Sequence, residues 1–288
     1  MPDKTIVRDG PGFALAEFRC RAAARELGAE ERAGAHQIVF VRSGLFVRET
    51  PQGRAVGDPN HVLFFNASEP YRVQHPLPGG DVCLALTLPA GDLLDILAER
   101  DESARDRASA PFASTHAPCT ARAAVLQRRL LSLSKAEADA LELQEVALEL
   151  AAEAIGAAAP ASAAGPERAA TRREHREAVE GVAVLLAARL PEAPTLGELA
   201  RAIGYSPFHL ARLFRRETGL PIHRYLTRLR LRLALERLAE DDGGLTDVAL
   251  DLGFADHSHF TNAFRREFGD TPAAIRQRVS ARRRRRMA

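Results

Sequence analysis

The sequence predicts an α+β protein of two domains. An N-terminal β-barrel domain with a helical appendage is followed by an all-α domain that contains two helix-turn-helix units. Two observations carry this prediction. Short apolar runs separated by turn residues fill residues 13–88, a pattern typical of a strand-rich fold. Residues 195–276 have helical periodicity and repeat one pattern twice, as a duplicated supersecondary unit does.

The N-terminal strands are predicted from four apolar runs, with Gly, Pro, Asn and Asp residues between them. The runs cover residues 38–41, 45–47, 62–65 and 82–88. Many short strands at such spacing suggest a sandwich or a barrel. A barrel of about 80 residues encloses little more than its own side chains or one small ligand.

Several side chains of the predicted barrel are suited to bind a ligand. His36 has the strand parity of Phe40, and His75 has that of Tyr71, so these side chains are expected to face the interior. We therefore predict that a small organic effector binds inside the barrel. The predicted binding set is His36, Phe40, Phe64, Tyr71 and His75.

A second interpretation of the same region is a transition-metal site or a thiol-reactive site. Imidazole and thiolate are the ligands that zinc and similar ions prefer. The candidate ligands are Cys20, Cys83, His36 and His75. The plainer interpretation stays open as well, in which each histidine is a surface or hydrogen-bonded core residue and each cysteine is a small buried side chain.

Helical periodicity replaces the strand pattern after Leu88. A short helix is predicted over residues 91–100, and an irregular segment over residues 105–120. Two amphipathic helices are predicted over residues 121–133 and 136–155. Leu141 and Leu148 are expected in the apolar stripe of the last helix. An Ala/Pro/Gly-rich linker without apolar periodicity follows.

These features divide the chain into five parts. Residues 1–100 are the strand-rich domain, 101–155 a helical extension and 156–170 the linker. Residues 171–279 are the domain with the two helix-turn-helix units, and residues 280–288 are a basic tail.

The two copies of the C-terminal repeat are close in sequence. Gly204 and Tyr205 of the first copy correspond to Gly253 and Phe254 of the second, 49 residues later. The tetrapeptide Phe-Arg-Arg-Glu occurs at residues 214–217 and again at 264–267. Such a match is hard to obtain from the packing of an ordinary helical bundle, which is the alternative.

Local chemistry predicts where the helices of the first copy begin and end. Thr195 and Glu198 have the spacing of a capping box, and Gly204 can end the first helix with a positive φ. Ser206 followed by Pro207 is typical of the start of a second helix.

The second helix of each copy has an apolar face and an outward face. The outward residues are predicted to contact base edges and phosphates in a DNA major groove, because they are mostly short, polar or cationic. They are Phe208, Ala211, Arg212 and Arg215 in the first copy, and His257, Ser258, Thr261, Asn262 and Arg265 in the second.

The helix predicted between the copies and the charge of the chain agree with this interpretation. Residues 221–239 predict one helix of about 27 Å, long enough to hold two recognition helices near one turn of DNA apart. From residue 171 onward there are 22 basic and 15 acidic residues, against 18 and 23 before it. A basic C-terminal part is typical of nucleic-acid binding.

At these residues the sequence resembles the AraC/XylS family of transcription regulators, over about residues 172–276. The second copy carries the family's signature at Gly253-Phe254, Ser258, Phe260, Phe264, Gly269, Pro272 and Arg276. By register, the resemblance implies base reading by Phe208, Ala211 and Arg212, and by His257, Ser258, Thr261 and Asn262. Ala211 departs from the more common polar residue, so readout by the first helix is expected to rest on Arg212.

The resemblance also implies properties of the N-terminal half. It implies a cupin-like fold holding a small effector, and a helical pair over residues 121–155 that forms a homodimer. Packing of that pair against the strand domain is the alternative. Double-stranded DNA and the effector are the expected partners, and RNA polymerase is left open as a third.

Two rival functions remain open at this point. One is a metal-dependent cupin enzyme with a DNA-binding tail, but the close His-x-His pair and downstream Glu of such enzymes are missing, and no catalytic residues are predicted. The other is a constitutive DNA-binding protein whose N-terminal half only dimerises. No signal peptide or membrane span is recognisable, and three widely spaced cysteines argue against a disulfide framework, so a cytoplasmic protein is expected.

Overall fold

The computed structural model of the chain describes residues 3–10, 12–21, 27–136, 138–158, 169–192, 194–240 and 243–278. They divide into two compact units. The first contains the described residues up to 158 together with 273–278, and the second contains residues 169–272. Most of the predicted linker and all of the predicted arginine run at residues 282–286 lie outside the described residues.

The first unit contains ten described strands. They are β1 (Asp3–Gly10), β2 (Phe13–Cys20), β3 (Glu31–Arg32), β4 (Gln37–Gly44), β5 (Phe46–Thr50), β6 (Gly53–Gly57), β7 (His61–Phe65), β8 (Pro70–Gln74), β9 (Asp81–Thr87) and β10 (His116–Pro118). The four predicted strands are confirmed as β4, β5, β7 and β9. The segment predicted to be irregular over residues 105–120 contains β10, which pairs antiparallel with β7.

The strands form two antiparallel sheets and not the predicted closed barrel. The six-stranded sheet has the order β1-β2-β9-β4-β7-β10, and the four-stranded sheet has the order β3-β8-β5-β6. Among the described residues no strand pairing joins the two sheets, so both keep open edges. The chain crosses from one sheet to the other at Gly44, whose φ of 81° suits glycine.

The core lies between the two sheets. Val39 and Val41 of β4, Leu63 of β7 and Cys83 of β9 meet Phe46 of the four-stranded sheet there. The opposite face of the six-stranded sheet is buried too, since Phe40 on β4 has no exposed surface. Phe64 on β7 also lies on that face and stacks on Phe112 at a ring-centroid distance of 5.0 Å.

In the N-terminal part of the first unit, one described α-helix lies between β9 and β10 and two more follow β10. They are α1 (Ala90–Ala98), α2 (Ala121–Lys135) and α3 (Ala140–Gly156). The last begins four residues later than predicted, because the side chain of Asp139 caps it by accepting from the backbone N–H of Leu141 at 2.9 Å. Its buried stripe contains Leu143 and Leu150, whereas Leu141, predicted for that stripe, is 65% exposed.

The second unit is all-helical. Its helices are α4 (Ala169–Ala188), α5 (Leu196–Ile203), α6 (Pro207–Thr218), α7 (Ile222–Glu240), α8 (Leu245–Asp251) and α9 (His257–Phe268). Residues 272–278 are helical as well and follow α9 in the chain, although residues 273–278 belong to the first unit. None of the described helices combines the length and apolar character that a membrane crossing needs.

Candidate nucleic-acid interface and inter-sheet cavity

The first helix-turn-helix unit consists of α5 and α6, and its predicted caps are confirmed. Glu198 accepts from the backbone N–H of Thr195 at 2.7 Å, while the Thr195 hydroxyl accepts from the N–H of Glu198 at 3.2 Å. Gly204 ends α5 with a φ of 80°, and Ser206 caps α6. These reciprocal bonds satisfy N–H groups that a helix start would otherwise leave without partners.

The faces of α6 are divided as predicted. Leu210, Leu213 and Phe214 are buried, and Phe214 packs edge-on against the ring of Tyr225 on α7. Phe208 is 73% exposed, and the guanidinium of Arg212 lies 6.0 Å from its ring centroid. The outward face borders a groove of about 550 Å³ that is lined by Phe208, Ala211, Arg212 and Arg215 together with residues of α5 and α7.

The second helix-turn-helix unit consists of α8 and α9, and it repeats this arrangement with a longer turn. Gly253 has a φ of 80°, like Gly204, but two residues separate it from the cap of α9, against one in the first copy. That cap is Asp256, whose carboxylate accepts from the N–H of His259 at 2.7 Å. The extra residue explains why the sequence repeat lengthens from 49 to 50 positions across the turn.

The outward residues of α9 lie where the sequence predicted them. Phe260, Ala263 and Phe264 are buried. Ser258, Asn262 and Arg265 are exposed, whereas His257 and Thr261 are half-buried and lie 3.3 Å apart, Nε2 to Oγ1. The exposed set therefore presents one hydroxyl, one amide and one guanidinium, all of which can hydrogen-bond to DNA.

The connecting helix α7 holds both helix-turn-helix units. The guanidinium of Arg230 donates to the carbonyl oxygen of Gly253 at 2.9 Å and to that of Leu190, just after α4, also at 2.9 Å. Arg232 makes an ion pair of 3.3 Å with Glu267 on α9. Sequence reasoning did not identify these arginines, because a buried arginine and a surface arginine look alike in the sequence.

A cavity of about 120 Å³ opens between the two sheets of the first unit. Its lining is polar on one side, where two cysteines, a histidine and an aspartate meet, and aromatic on the other. The lining residues are Phe18, Cys20, Glu31, Gln37, Val39, Phe46, Phe65, Tyr71, Val73, His75, Asp81 and Cys83.

The polar side of the cavity is a connected cluster. Asp81 lies at its centre, with one carboxylate oxygen 2.6 Å from Nε2 of His75 and the other accepting from the thiol of Cys83 at 3.0 Å. The potential ligand atoms of Cys20, His75 and Asp81 all lie within 4.8 Å of one another. Burial raises the pKa of the Cys83 thiol well above its usual range, and the nearby Asp81 carboxylate raises it further.

The structure brings together some of the predicted ligand-binding residues and separates others. Tyr71, His75, Cys20 and Cys83 line the cavity. Phe40 and Phe64 belong to the opposite face of the six-stranded sheet, and they are not among the residues that line the cavity.

His36 is not at the cavity either. Its Nδ1 accepts a hydrogen bond of 3.0 Å from the backbone N–H of Ala67, and burial lowers its pKa.

Sequence reasoning also missed Asp81. The available signal was the spacing of Asp81 and Cys83, since residues i and i+2 of a strand share a face.

Comparisons with known proteins match the C-terminal part of the chain. Residues 199–278 match the family model of a helix-turn-helix domain. The transcriptional activator RhaS of Escherichia fergusonii is 48% identical over 68 residues, 24% of this chain and 24% of its own length. RhaS of Klebsiella pneumoniae is 42% identical over 80 residues, 28% of this chain and 29% of its own length.

A solved structure of an AraC-type transcriptional regulator from Chromobacterium violaceum is 26% identical and has a TM-score of 0.35. The match covers 36% of this chain and 94% of that structure. For the RhaS proteins, the match spans only about a quarter of their length. The family match runs from within α5 to residue 278 and so includes both recognition helices, α6 and α9.

Proposed function

We propose that this chain, whose residues 199–278 match the family model of a helix-turn-helix domain, is an AraC-type transcription regulator that binds double-stranded DNA and responds to a signal received in the inter-sheet cavity. In this proposal a DNA-binding domain covers residues 171–279, which include helices α5 to α9. Residues 156–170 are its linker to the sensing half.

One observation carries the DNA-binding proposal. Two helices, α6 and α9, have the same type of N-cap, the same buried apolar face and an exposed polar face of matching register. Duplicated recognition helices on one frame suit two adjacent major-groove segments on one face of DNA. The arginines of α7 support the frame, since Arg230 bonds to the segment before the first helix-turn-helix unit and to the turn of the second, and Arg232 pairs with Glu267 of α9.

We assign different roles to the exposed side chains. Arg212 and Asn262 read bases, because guanidinium pairs with guanine and amide with adenine through two hydrogen bonds. Arg215 and Arg265, one turn further along their helices, bind phosphates and position the domain. Ala211 is suited to an apolar contact with a thymine methyl group.

The remaining properties follow from this assignment. We propose a cytoplasmic homodimer without catalytic activity, in which α2 and α3 contribute to dimerisation. Leu141, exposed on α3, is available for such a contact. Contact with RNA polymerase stays an open part of the proposal.

The signal is proposed to act through the inter-sheet cavity. A ligand changes DNA affinity only by as much as its own affinities for the two states of the protein differ. The small organic effector predicted from the sequence would contact Tyr71 and His75 there. The cluster of Cys20, His75, Asp81 and Cys83 favours a second candidate, a metal or thiol signal.

Selection of genomic DNA fragments by the purified full-length protein tests the central proposal. We expect an enriched motif with two half-sites about 10 base pairs apart. A protein with Arg212→Ala and Asn262→Ala together should enrich no such motif. The proposal is wrong if the unmodified protein retains random and genomic fragments equally at physiological salt.

A further inference from the structure

The cluster at the inter-sheet cavity is assembled from three separate parts of the first unit. Cys20 is the last residue of β2, and its cross-strand partner is Asp81 at the start of β9. Cys83 lies two residues further along β9, on the same face as Asp81. His75 follows the last residue of β8, which belongs to the other sheet. The four side chains therefore span both sheets.

Three of the four donor groups are largely withdrawn from water, and Cys20 is half-buried. The side chains of His75 and Asp81 are 11% and 7% exposed, and Cys83 is 4% exposed. A buried carboxylate costs free energy unless a cation or several hydrogen bonds compensate it. This arrangement is unusual for a core position, where apolar residues are ordinarily found.

We propose that Cys20, His75 and Asp81, whose potential ligand atoms lie within 4.8 Å of one another, bind one transition-metal ion. The thiol of Cys83, which donates to Asp81 in this structure, would turn toward the ion as the fourth ligand, and zinc is the ion that this donor set fits best. Two sulfurs, one imidazole nitrogen and one carboxylate oxygen are four ligands of the types that zinc binds with tetrahedral geometry. Calcium and magnesium prefer sites made of oxygen atoms alone, so thiolates and imidazole disfavour them.

The size of the cavity supports an ion over an organic effector. Pockets for organic ligands usually measure about 300–1,000 Å³. The cavity between the sheets measures about 120 Å³, which is enough for a metal ion that replaces the thiol protons.

The strand register argues against a disulfide between the two cysteines. Cys20 faces Asp81, so Cys83 is its diagonal neighbour across the strands. Diagonal neighbours have Cα atoms roughly 7 Å apart, above the usual range for a disulfide. An ion between the two sulfurs accommodates this separation, because each Zn–S bond is about 2.3 Å.

Metal binding has a defined proton balance and a structural consequence. The two thiols lose their protons to solvent as two sulfur–metal bonds form, and no oxidant or reductant takes part. Because His75 is attached to one sheet and the other ligands to the opposite sheet, the ion would link the two sheets. The metal site is independent of the proposed function, and only an effect of the metal on DNA binding would rest on it.

Elemental analysis of purified full-length protein tests the site. We expect roughly one zinc ion per chain. The variants Cys20→Ser, Cys83→Ser and His75→Ala should each retain at least about tenfold less zinc, since even changes outside the ligand shell weaken metal sites by that factor. Cys119→Ser is the matched control, because Cys119 is buried in the same unit but lies outside the cluster. It should keep the full zinc content.

Replacement of the metal by cobalt in the unmodified protein tests the site even if a variant does not fold. The unmodified protein, stripped of metal and titrated with Co²⁺, should develop a thiolate-to-cobalt charge-transfer band and the strong visible bands of a tetrahedral ion. The proposal is overturned if the unmodified protein contains no stoichiometric metal and its cobalt form lacks these bands. Full zinc content in both Cys20→Ser and Cys83→Ser would overturn it as well.

DNA binding measured on the same samples separates this proposal from the previous one. A zinc-loaded protein without sequence-specific DNA binding contradicts the proposed function and supports the metal site. A protein that binds its operator but holds neither zinc nor cobalt contradicts the metal site alone.

Discussion

The guanidinium of Arg230, in the connecting helix α7, donates a hydrogen bond of 2.9 Å to the carbonyl oxygen of Gly253 in the turn of the second helix-turn-helix unit. The same side chain bonds to the carbonyl oxygens of Leu190 and Glu192, which follow α4. Arg230 is only 8% exposed. One buried cation thus connects the segment before the first helix-turn-helix unit with the turn of the second.

Replacement of Arg230 by methionine should lower the free energy of unfolding by about 1–3 kcal/mol, because the carbonyl groups it satisfies would be left buried without a partner. Operator affinity should fall as well. Thermal unfolding and DNA-binding titrations measure the two effects. Arg201→Met, on the exposed surface of α5, is the matched control and should change stability by less than about 0.5 kcal/mol. Equal stability of the two variants would contradict the role given to Arg230.

Alanine at Gly253 should destabilise the protein more than alanine at Gly204, although both glycines have a φ of 80°. The backbone conformation itself costs an L-residue roughly 1 kcal/mol at either position. At Gly253 the added Cβ would also lie 2.7 Å from Nη2 of Arg230 and collide with the Pro191 carbonyl, whereas at Gly204 it meets open space. Chemical denaturation of both variants measures the difference. Equal losses would mean that the close contact at Gly253 relaxes without cost.

Arg212→Ala should weaken operator binding by about 1–3 kcal/mol and relax base preference in one half-site. Asn262→Ala should do the same in the other half-site. Binding to operators with single base changes measures both effects, and Arg173→Ala on the exposed surface of α4 serves as the control. If operator and random DNA lose affinity equally, these side chains contact only phosphates.

Deletion of residues 282–287, which lie outside the described residues, should weaken binding to operator and random DNA alike. The five arginines at 282–286 are expected to neutralise phosphates and release counterions, so the deletion should also flatten the dependence of binding on salt. Titrations at several salt concentrations measure this slope. A loss of operator preference with an unchanged slope would mean that the tail reads sequence.

Sequence alone determined the duplicated C-terminal architecture. The capping box of Thr195 and Glu198, the cap at Ser206 and the buried positions Leu210 and Phe214 all follow from contacts within one or two helical turns. Such contacts are local, so the order of residues predicts them directly. The exposed faces of α6 and α9 can then be predicted as well, because the residues opposite the buried face of a helix must point outward.

Only the tertiary structure decided the arrangement of the N-terminal unit. The six-stranded sheet is buried on both faces, so Val39 and Phe40 are equally apolar in the sequence and parity does not reveal which one faces the cavity. The strand pattern of the sequence likewise does not show whether the sheets have open edges, as in a sandwich, or close into a barrel. The convergence of Cys20 with Asp81 and Cys83 depends on strand pairing across some 60 residues. Local sequence does not predict such pairing, because the pairing depends on how the sheets pack together in the folded protein.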